Sequence, residues 1–226
     1  MKGGKVWCGR HLPVILVVLV LLVDQVSKFL VKLNMRIGDE IDIFSWFKIH
    51  FLENEGMAFG FRFGGEGGKL LLSLVRLAAI VFLAWYLYKV DRKSLSDLRQ
   101  GLLSRQERRA RTGLVASLSL ILAGAVGNMI DSAFYGLLFS ESYFHVARLF
   151  PPEGYAPFLH GRVVDMLYFP IVQGHYPDWM PWVGGRELLF FRPVFNVADS
   201  AITVGFVVFF ITQRDFRIPG SKKEKA

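Results

Sequence analysis

Two aspartates in the second half of the sequence lie in apolar runs, where a charged side chain is costly. Asp165 lies in R-V-V-D-M-L-Y-F, and Asp199 lies in F-N-V-A-D-S-A-I-T-V-G, which opens the last long hydrophobic segment. A charge inside or at the edge of a bilayer costs about 2.5–3.5 kcal/mol, so two such carboxylates indicate a function. Two carboxyls in contact share one proton, which leaves a base for water and an acid for a carbonyl oxygen. The pair therefore predicts general acid–base chemistry.

Three pairs of polar residues accompany these carboxylates near the ends of the hydrophobic segments. The members of each pair are three or four positions apart, so they share one face of a helix. The pairs are Asp24 with Lys28, Asn128 with Asp131, and Asn196 with Asp199. Each pair also has a structural explanation, namely an intrahelical ion pair, an interhelical hydrogen bond or a helix cap. Their common position along the segments favours convergence on one site.

Other hydrolytic chemistries lack a matching pattern. The sequence contains neither G-x-S-x-G nor H-E-x-x-H, the motifs of serine hydrolases and zinc peptidases. His145, His160 and His175 are widely spaced in one loop, so a zinc site is not expected. The glycines after Phe59 lack the Lys-Ser/Thr partner of a phosphate-binding loop. We therefore expect neither a metal nor a cofactor.

The composition is that of an integral membrane protein. Hydrophobic residues make up 53% of the chain, aromatic residues make up 15%, and the mean hydropathy is +0.37, which is high for a soluble domain. Four apolar stretches approach the roughly 20 residues that a spanning helix needs. They cover about 12–31, 70–88, 113–130 and 194–212. We expect one integral membrane domain over 1–226, with outer loops at about 32–69 and 131–193.

The distribution of basic residues predicts the orientation in the membrane. Lys and Arg are concentrated in 1–11, 89–111 and 214–225, and they are sparse in the two longer loops. By the positive-inside rule both termini are cytoplasmic, so the polar pairs lie at the outer ends of the spans. These flanks and anionic phospholipid headgroups explain the net charge of +8. No nucleic-acid partner is expected, because the basic residues are not interleaved with aromatic residues that could stack on bases.

The two outer loops differ in composition. The first combines β-branched and aromatic residues with a following run of glycines, which predicts a small sheet on the membrane surface. The second is rich in aromatic residues and proline, and its aromatic side chains suit the headgroup region. The expected fold is a mainly α membrane protein with four transmembrane helices, N-in/C-in, a small extracytoplasmic β-sheet and a long outer loop.

Five ordered motifs resemble those of lipoprotein signal peptidase, or signal peptidase II, a family of bacterial inner-membrane aspartyl peptidases with four transmembrane helices. They are D-Q-V-S-K at 24–28, E-N-E-G-M-A-F-G at 53–60, A-G-A-V-G-N-M-I-D at 123–131, V-V-D at 163–165 and F-N-V-A-D-S-A-I-T-V-G at 195–205. The resemblance implies that Asp165 and Asp199 are the catalytic dyad. It also implies that the supporting or substrate-pocket residues are Asp24, Lys28, Asn54, Gly56, Asn128, Asp131, Asn196 and Ala198.

The resemblance further implies a substrate and a location. Family members are endopeptidases that remove the signal peptide from prolipoproteins, on the N-terminal side of a cysteine that already carries a diacylglyceryl group. The active site of this chain would then face the periplasmic or outer side of the bacterial inner membrane. The expected partners are lipidated prolipoproteins and membrane phospholipid. No metal, cofactor or nucleic acid is implied.

The chain departs from the family pattern in two places. Ser132 stands where the family usually has arginine, so Arg162 or Arg148 would supply that charge from the loop, or substrate binding would be altered. The stretch between Asp131 and Asp165 is longer than expected for the family, and it could cover the active site or bind a partner.

Two other functions therefore remain open. A catalytically altered lipoprotein-binding membrane factor would fit the departures from the family. A proton-relay transporter subunit would also use carboxylates in spans, but a relay needs polar groups across the whole membrane depth.

Overall fold

The computed structural model describes residues 11–54, 65–170, 179–181, 185 and 194–213. Its elements are α1 (Leu12–Asn34), β1 (Glu40–Phe44), β2 (Phe47–Asn54), α2 (Gly65–Arg99), α3 (Arg105–Ile130), β3 (Val163–Tyr168), β4 (Val194–Phe195) and α4 (Val197–Gln213). A π-helix at Asp131–Tyr135 and a helical turn at Gly136–Leu138 continue α3. The protein is therefore mainly helical with a small sheet, as predicted.

Three helices among the described residues are long and apolar enough to cross a membrane: α1, α2, and α3 with its continuation to Leu138. Helix α4 is apolar but shorter. Large apolar side chains such as Val18, Leu22 and Phe82 are exposed on these helices, as expected for faces in contact with lipid. The chain is a multi-pass membrane protein.

The helices extend beyond the predicted spans because polar residues continue them. Helix α2 runs on to Arg99, and α3 already begins at Arg105. The start of α3 is a capping box: the backbone N–H of Ser104 donates to the Glu107 carboxylate at 2.8 Å, and the backbone N–H of Glu107 donates to the Ser104 hydroxyl at 3.3 Å. The basic segment 89–111 is thus largely helical.

The chain divides into two compact units. The span unit comprises Met1–Val23, Leu74–Met129 and Ala198–Ala226, and the sheet unit comprises Asp24–Ser73 and Ile130–Val197. Each unit has its own buried apolar cluster. Leu87, Val115 and Leu118 form the cluster of the span unit, and Phe51, Tyr135 and Phe139 lie in that of the sheet unit.

The sheet is antiparallel, with its four strands in the order β1-β2-β3-β4. Strand β3 is almost wholly buried, and it pairs with β2 so that Leu52 faces Asp165. The sequence predicted strands only in the first outer loop, whereas β3 comes from the middle of the second. Its run V-V-D-M-L-Y has no polar–apolar alternation, because both faces of the strand are covered. Asp165 therefore lies on a central strand.

Small residues bring α3 and α4 close together within the span unit. A Cβ added at Gly124 would overlap the carbonyl oxygen of Ala198, and one at Gly205 would lie 2.9 Å from the carbonyl oxygen of Ser117. Such close approach is typical of helix packing in membranes. The close contact at Gly124 thus lies at the turn of α4 that carries Asp199.

The first prediction concerns this contact. Gly124→Ala should lower the free energy of unfolding by about 1–3 kcal/mol, because the new methyl group meets backbone that cannot move aside easily. Gly67→Ala is the matched control, since a Cβ there meets nothing within 4 Å. Thermal melts of the detergent-purified variants compare the two, and equal melting temperatures would contradict the close contact.

Candidate active site

A lysine between two aspartates forms a fully buried ion triad in the sheet unit. The Lys28 Nζ lies 2.9 Å from Asp24 Oδ2 and 2.7 Å from Asp131 Oδ2, and all three side chains have no solvent exposure. A buried charge is tolerated only when it is paired and hydrogen-bonded. The sequence predicted Asp24 and Lys28 as a pair on one face of α1, and the structure adds Asp131 as the third member.

The Asp131 carboxylate also holds the backbone beside the first candidate catalytic residue. Its Oδ1 accepts from Gln25 Nε2 at 3.0 Å, and its Oδ2 accepts from the backbone N–H of Val164 at 3.2 Å. The Tyr135 hydroxyl in turn donates to Gln25 Oε1 at 3.1 Å. Asp131 therefore ties α1 to β3 one residue before Asp165. Sequence reasoning missed Gln25, although it lies inside the D-Q-V-S-K motif.

Two asparagine amides orient the Asp165 carboxylate. Asn196 Nδ2 donates to Oδ1 at 2.7 Å, and Asn54 Nδ2 donates to Oδ2 at the longer distance of 3.4 Å. Asp165 and Asn196 are buried, and Asn54 is the last residue of β2. The structure thus brings three predicted residues together in the sheet unit.

In the span unit the second candidate, Asp199, lies in the first turn of α4. Its Oδ1 accepts from Asn128 Nδ2 at 2.8 Å. The half-buried Arg76 of α2 interacts electrostatically with the same carboxylate. Sequence reasoning missed Arg76, and the available signal was a lone arginine within a predicted span. Ala198, the residue before Asp199, is fully buried.

The structure also shows where Ser132 and the two arginines that were expected to supply the missing charge lie. Ser132 is buried, and its carbonyl oxygen accepts from the backbone N–H of Gly161 at 2.8 Å. Arg162 bonds to two glutamates, and Arg148 is exposed. Among the described residues, Arg76 is an arginine that interacts electrostatically with Asp199. Gly56 lies outside the described residues.

A second set of charges, the Glu53 cluster, lies in the sheet unit and consists of Lys32, Glu53, Glu141 and Arg162. The side chains of Lys32 and Glu53 are buried, and those of Arg162 and Glu141 are partly exposed. Lys32 Nζ pairs with Glu53 Oε1, Arg162 Nη1 bonds to Glu53 Oε2 at 3.0 Å, and the same nitrogen bonds to Glu141 Oε1 at 2.7 Å. Burial alone would lower the pKa of Arg162, but its bonds to Glu141 and Glu53 raise it above the ordinary value.

The Glu53 cluster lies at the ends of two strands next to Asp165, namely the end of β2 and the start of β3. Glu53 immediately precedes Asn54 on β2, and Arg162 immediately precedes β3. Lys32 also packs over the ring of Tyr155, with Nζ 4.9 Å from the ring centroid. The cluster therefore connects α1, the end of β2 and the second outer loop.

The second prediction tests this cluster. Lys32→Met should lower the free energy of unfolding by about 3–5 kcal/mol, because the Glu53 carboxylate remains buried without its nearest cation. Arg36→Met, just beyond the end of α1, is the matched control, since the pair of Arg36 with Asp39 is largely exposed and worth at most about 1 kcal/mol. Unfolding in SDS-titrated micelles measures both, and a similar small loss in each would contradict the burial argument.

Comparisons with known proteins place the chain in a family. The profile of the family described as Signal peptidase (SPase) II matches residues 16–214. The chain belongs to the signal peptidase II family. Its members are peptidases, so the chain is a membrane peptidase. Within the described segments, no group of three or more His, Cys, Asp or Glu side chains could hold a metal ion.

Individual relatives agree with the signal peptidase II assignment. A protein of Porphyromonas gingivalis named lipoprotein signal peptidase is 46% identical over 197 residues, which cover 87% of this chain and 80% of that protein. A protein of Amoebophilus asiaticus with the same name is 34% identical over 213 residues, covering 93% and 79%. A solved structure titled as a bacterial membrane enzyme aligns with a TM-score of 0.55 at 22% identity, covering 96% of this chain and 94% of that one. It supports the fold.

Proposed function

We propose that Asp165 and Asp199 are the catalytic pair of this signal peptidase, which removes the signal peptide from diacylglyceryl-modified prolipoproteins on the N-terminal side of the lipidated cysteine. Cleavage of lipoprotein signal peptides is the function of the family. The assignment of the two aspartates rests on how each carboxylate is held. Each accepts a hydrogen bond from an asparagine amide, Asn196 for Asp165 and Asn128 for Asp199.

Chain connectivity supports the pairing of these carboxylates. Asn196 contacts Asp165, and Asp199 follows Asn196 by three positions. Three residues span at most roughly 11 Å of chain. The backbone of Asp199 therefore stays near an amide that touches Asp165, whatever the conformation of the intervening residues.

The proposed reaction needs one proton shared by the two carboxyls. The ionised carboxylate takes a proton from water as the water oxygen bonds to the scissile carbonyl carbon, and the neutral carboxyl donates its proton to the carbonyl oxygen. In the second step the carbon–nitrogen bond breaks, one carboxyl protonates the leaving amine of the cysteine, and the other removes a proton from the diol. The products are a free signal-peptide carboxyl end and a lipidated cysteine with a free amine, and the pair again holds one proton.

The supporting residues would act on this pair through its geometry. Asp131 holds the backbone of Val164, so the triad of Asp24, Lys28 and Asp131 limits how far Asp165 can move. Asn54, Gly56, Asn196 and Ala198 would line or shape the substrate pocket, as the family resemblance implies. Arg76 would balance the negative charge of Asp199 where the family's usual arginine is absent.

The membrane arrangement that fits this function has four spans, with α4 as the fourth and both termini in the cytoplasm. The concentration of Lys and Arg in 89–111 and 214–225 supports this orientation. The catalytic pair would then face the outer side of the bacterial inner membrane, where membrane phospholipid surrounds the substrate. Nucleic acid has no place in this proposal. A non-catalytic lipoprotein-binding factor and a proton-relay subunit are not favoured, because the family is one of peptidases.

The third prediction tests the catalytic pair. Asp165→Asn and Asp199→Asn should each lower kcat by at least about 100- to 10,000-fold, because either change removes the shared proton or the base. Asp42→Asn on β1 is the control, since its side chain is 74% exposed. Cleavage of a purified diacylglyceryl-modified prolipoprotein in lipid nanodiscs, at matched folded yield, measures all three. Full activity in either variant would remove that residue from the pair.

The fourth prediction concerns the substrate. Each methylene buried in the bilayer contributes about 0.8 kcal/mol, so the acyl chains deliver the cysteine to the membrane surface. An unlipidated precursor with the same peptide sequence should therefore be cleaved far more slowly than the lipidated one. Equal rates for both in nanodiscs would show that signal-peptide side chains determine selection.

A further inference from the structure

The stretch between Asp131 and Asp165 contains a folded lobe, residues 139–161, that the catalytic proposal does not use. Backbone hydrogen bonds fasten its second half to the continuation of α3. Gly161 N donates to Ser132 O at 2.8 Å, Leu159 N donates to Ala133 O at 3.3 Å, and Ala156 N donates to Gly136 O at 3.1 Å. The π-helix and the following turn thus supply carbonyl oxygens that the lobe satisfies.

The first half of the lobe is a hairpin that reaches the end of α1. Phe139 pairs with Leu149, and Phe150 N donates to Leu138 O at 2.8 Å. At the tip, the carbonyl oxygen of Ser142 accepts from Ile37 N at 3.0 Å, and the hydroxyl of Ser142 accepts from Lys32 Nζ at 3.0 Å. Both α1 and the continued α3 are long enough to cross the membrane, and the lobe is fixed at the end of each. It therefore lies beside the ends of two helices that are long and apolar enough to cross a membrane.

Several aromatic side chains of the lobe are exposed. The exposed fractions are 91% for Phe144, 73% for Phe150, 54% for Tyr143 and 51% for Phe158. Phe158 packs against Phe134, with ring centroids 5.6 Å apart. Phe134 and Leu137 are themselves exposed on the last turns of the spanning helix. The exposed apolar surface thus continues from the membrane-spanning helix into the lobe.

Two residues at or beside the exposed phenylalanines have a left-handed backbone conformation. Phe150 has φ +53°, and Leu159, which follows Phe158, has φ +68°. A bulky side chain in this left-handed region is uncommon and costs about 1–3 kcal/mol. The hydrogen bonds of Phe150 N and Leu159 N to the continuation of α3 hold this conformation. Strained backbone therefore occurs at or beside two of the exposed phenylalanines.

We propose that the lobe is an interfacial anchor whose phenylalanines at 144, 150 and 158 insert into the lipid leaflet at which α1 and α3 end. This is the outer leaflet in the orientation proposed above. Aromatic side chains are favoured at the boundary between headgroups and acyl chains. The buried side of the lobe, which carries Ala147 and Ser142, packs on the rest of the sheet unit. The anchor would hold Arg162 and the start of β3 at a constant depth beside the lipidated substrate.

Spin-label accessibility tests the proposal without relying on catalysis. Cys8 is the only cysteine, so Cys8→Ser gives a background for single labels at Phe144→Cys, Phe150→Cys and Glu153→Cys. Glu153 is exposed on the same lobe and polar, which makes it the matched control. The proteins are reconstituted in nanodiscs of phosphatidylethanolamine and phosphatidylglycerol. Collisions of each label with oxygen and with a water-soluble nickel complex are then compared.

At 144 and 150 the logarithm of the oxygen-to-nickel accessibility ratio should be positive, and at 153 it should be negative. A negative logarithm at all three positions would overturn the proposal. Protection at 144 and 150 that appears only when lipidated substrate is added would overturn it in favour of a substrate contact. If the Cys8→Ser background does not fold, Phe144→Trp gives the same readout. Its tryptophan fluorescence is measured in brominated lipid, and the unsubstituted protein, which has the same native tryptophans, is the reference for the quenching. Loss of activity in the Asp165 or Asp199 variants leaves these outcomes unchanged.

Discussion

The buried Lys28, between Asp24 and Asp131, is the interaction on which the rest of the sheet unit depends. One positive and two negative groups without solvent exposure are tolerated only if every remaining polar atom has a partner. Gln25 and the backbone N–H of Val164 supply such partners to Asp131. The need to satisfy these charges therefore fixes where α1, the π-helix and β3 meet, and Asp165 follows directly on β3.

The two candidate carboxylates are held by different sets of interactions. In the sheet unit, paired strands and the Glu53 cluster position the backbone around Asp165, and neutral amides orient its oxygens. In the span unit, close helix packing at Gly124 positions the first turn of α4, and Asn128 and Arg76 act on Asp199. Amides bond to a carboxylate without adding charge, so Asn54 and Asn196 orient Asp165 without themselves contributing a charge.

The helices and most of the candidate site could be predicted from the sequence because their signals are local. Apolar windows showed the spans, and polar pairs at helical spacing showed Asp24 with Lys28. The Glu53 cluster could not be predicted in this way, since Arg162 and Glu53 are 109 positions apart. Strand β3 was also missed, because a strand covered on both faces lacks the alternation by which strands are recognised. Long-range pairing thus determines the features that local patterns do not show.

The two departures from the family pattern, Ser132 and the long stretch after it, are in direct contact, because Gly161 N donates to the carbonyl oxygen of the buried Ser132. A side chain at Gly161 would overlap the carbonyl oxygen of Asp131, and the Gly161 N–H already occupies the carbonyl oxygen of Ser132. An arginine at 132 would place a long cationic side chain at a position that is 2% exposed, on the segment to which the lobe is hydrogen-bonded. Placing an arginine at 132 here, and transplanting this lobe into a relative that keeps the arginine, are therefore reciprocal changes that test whether the two features are compatible.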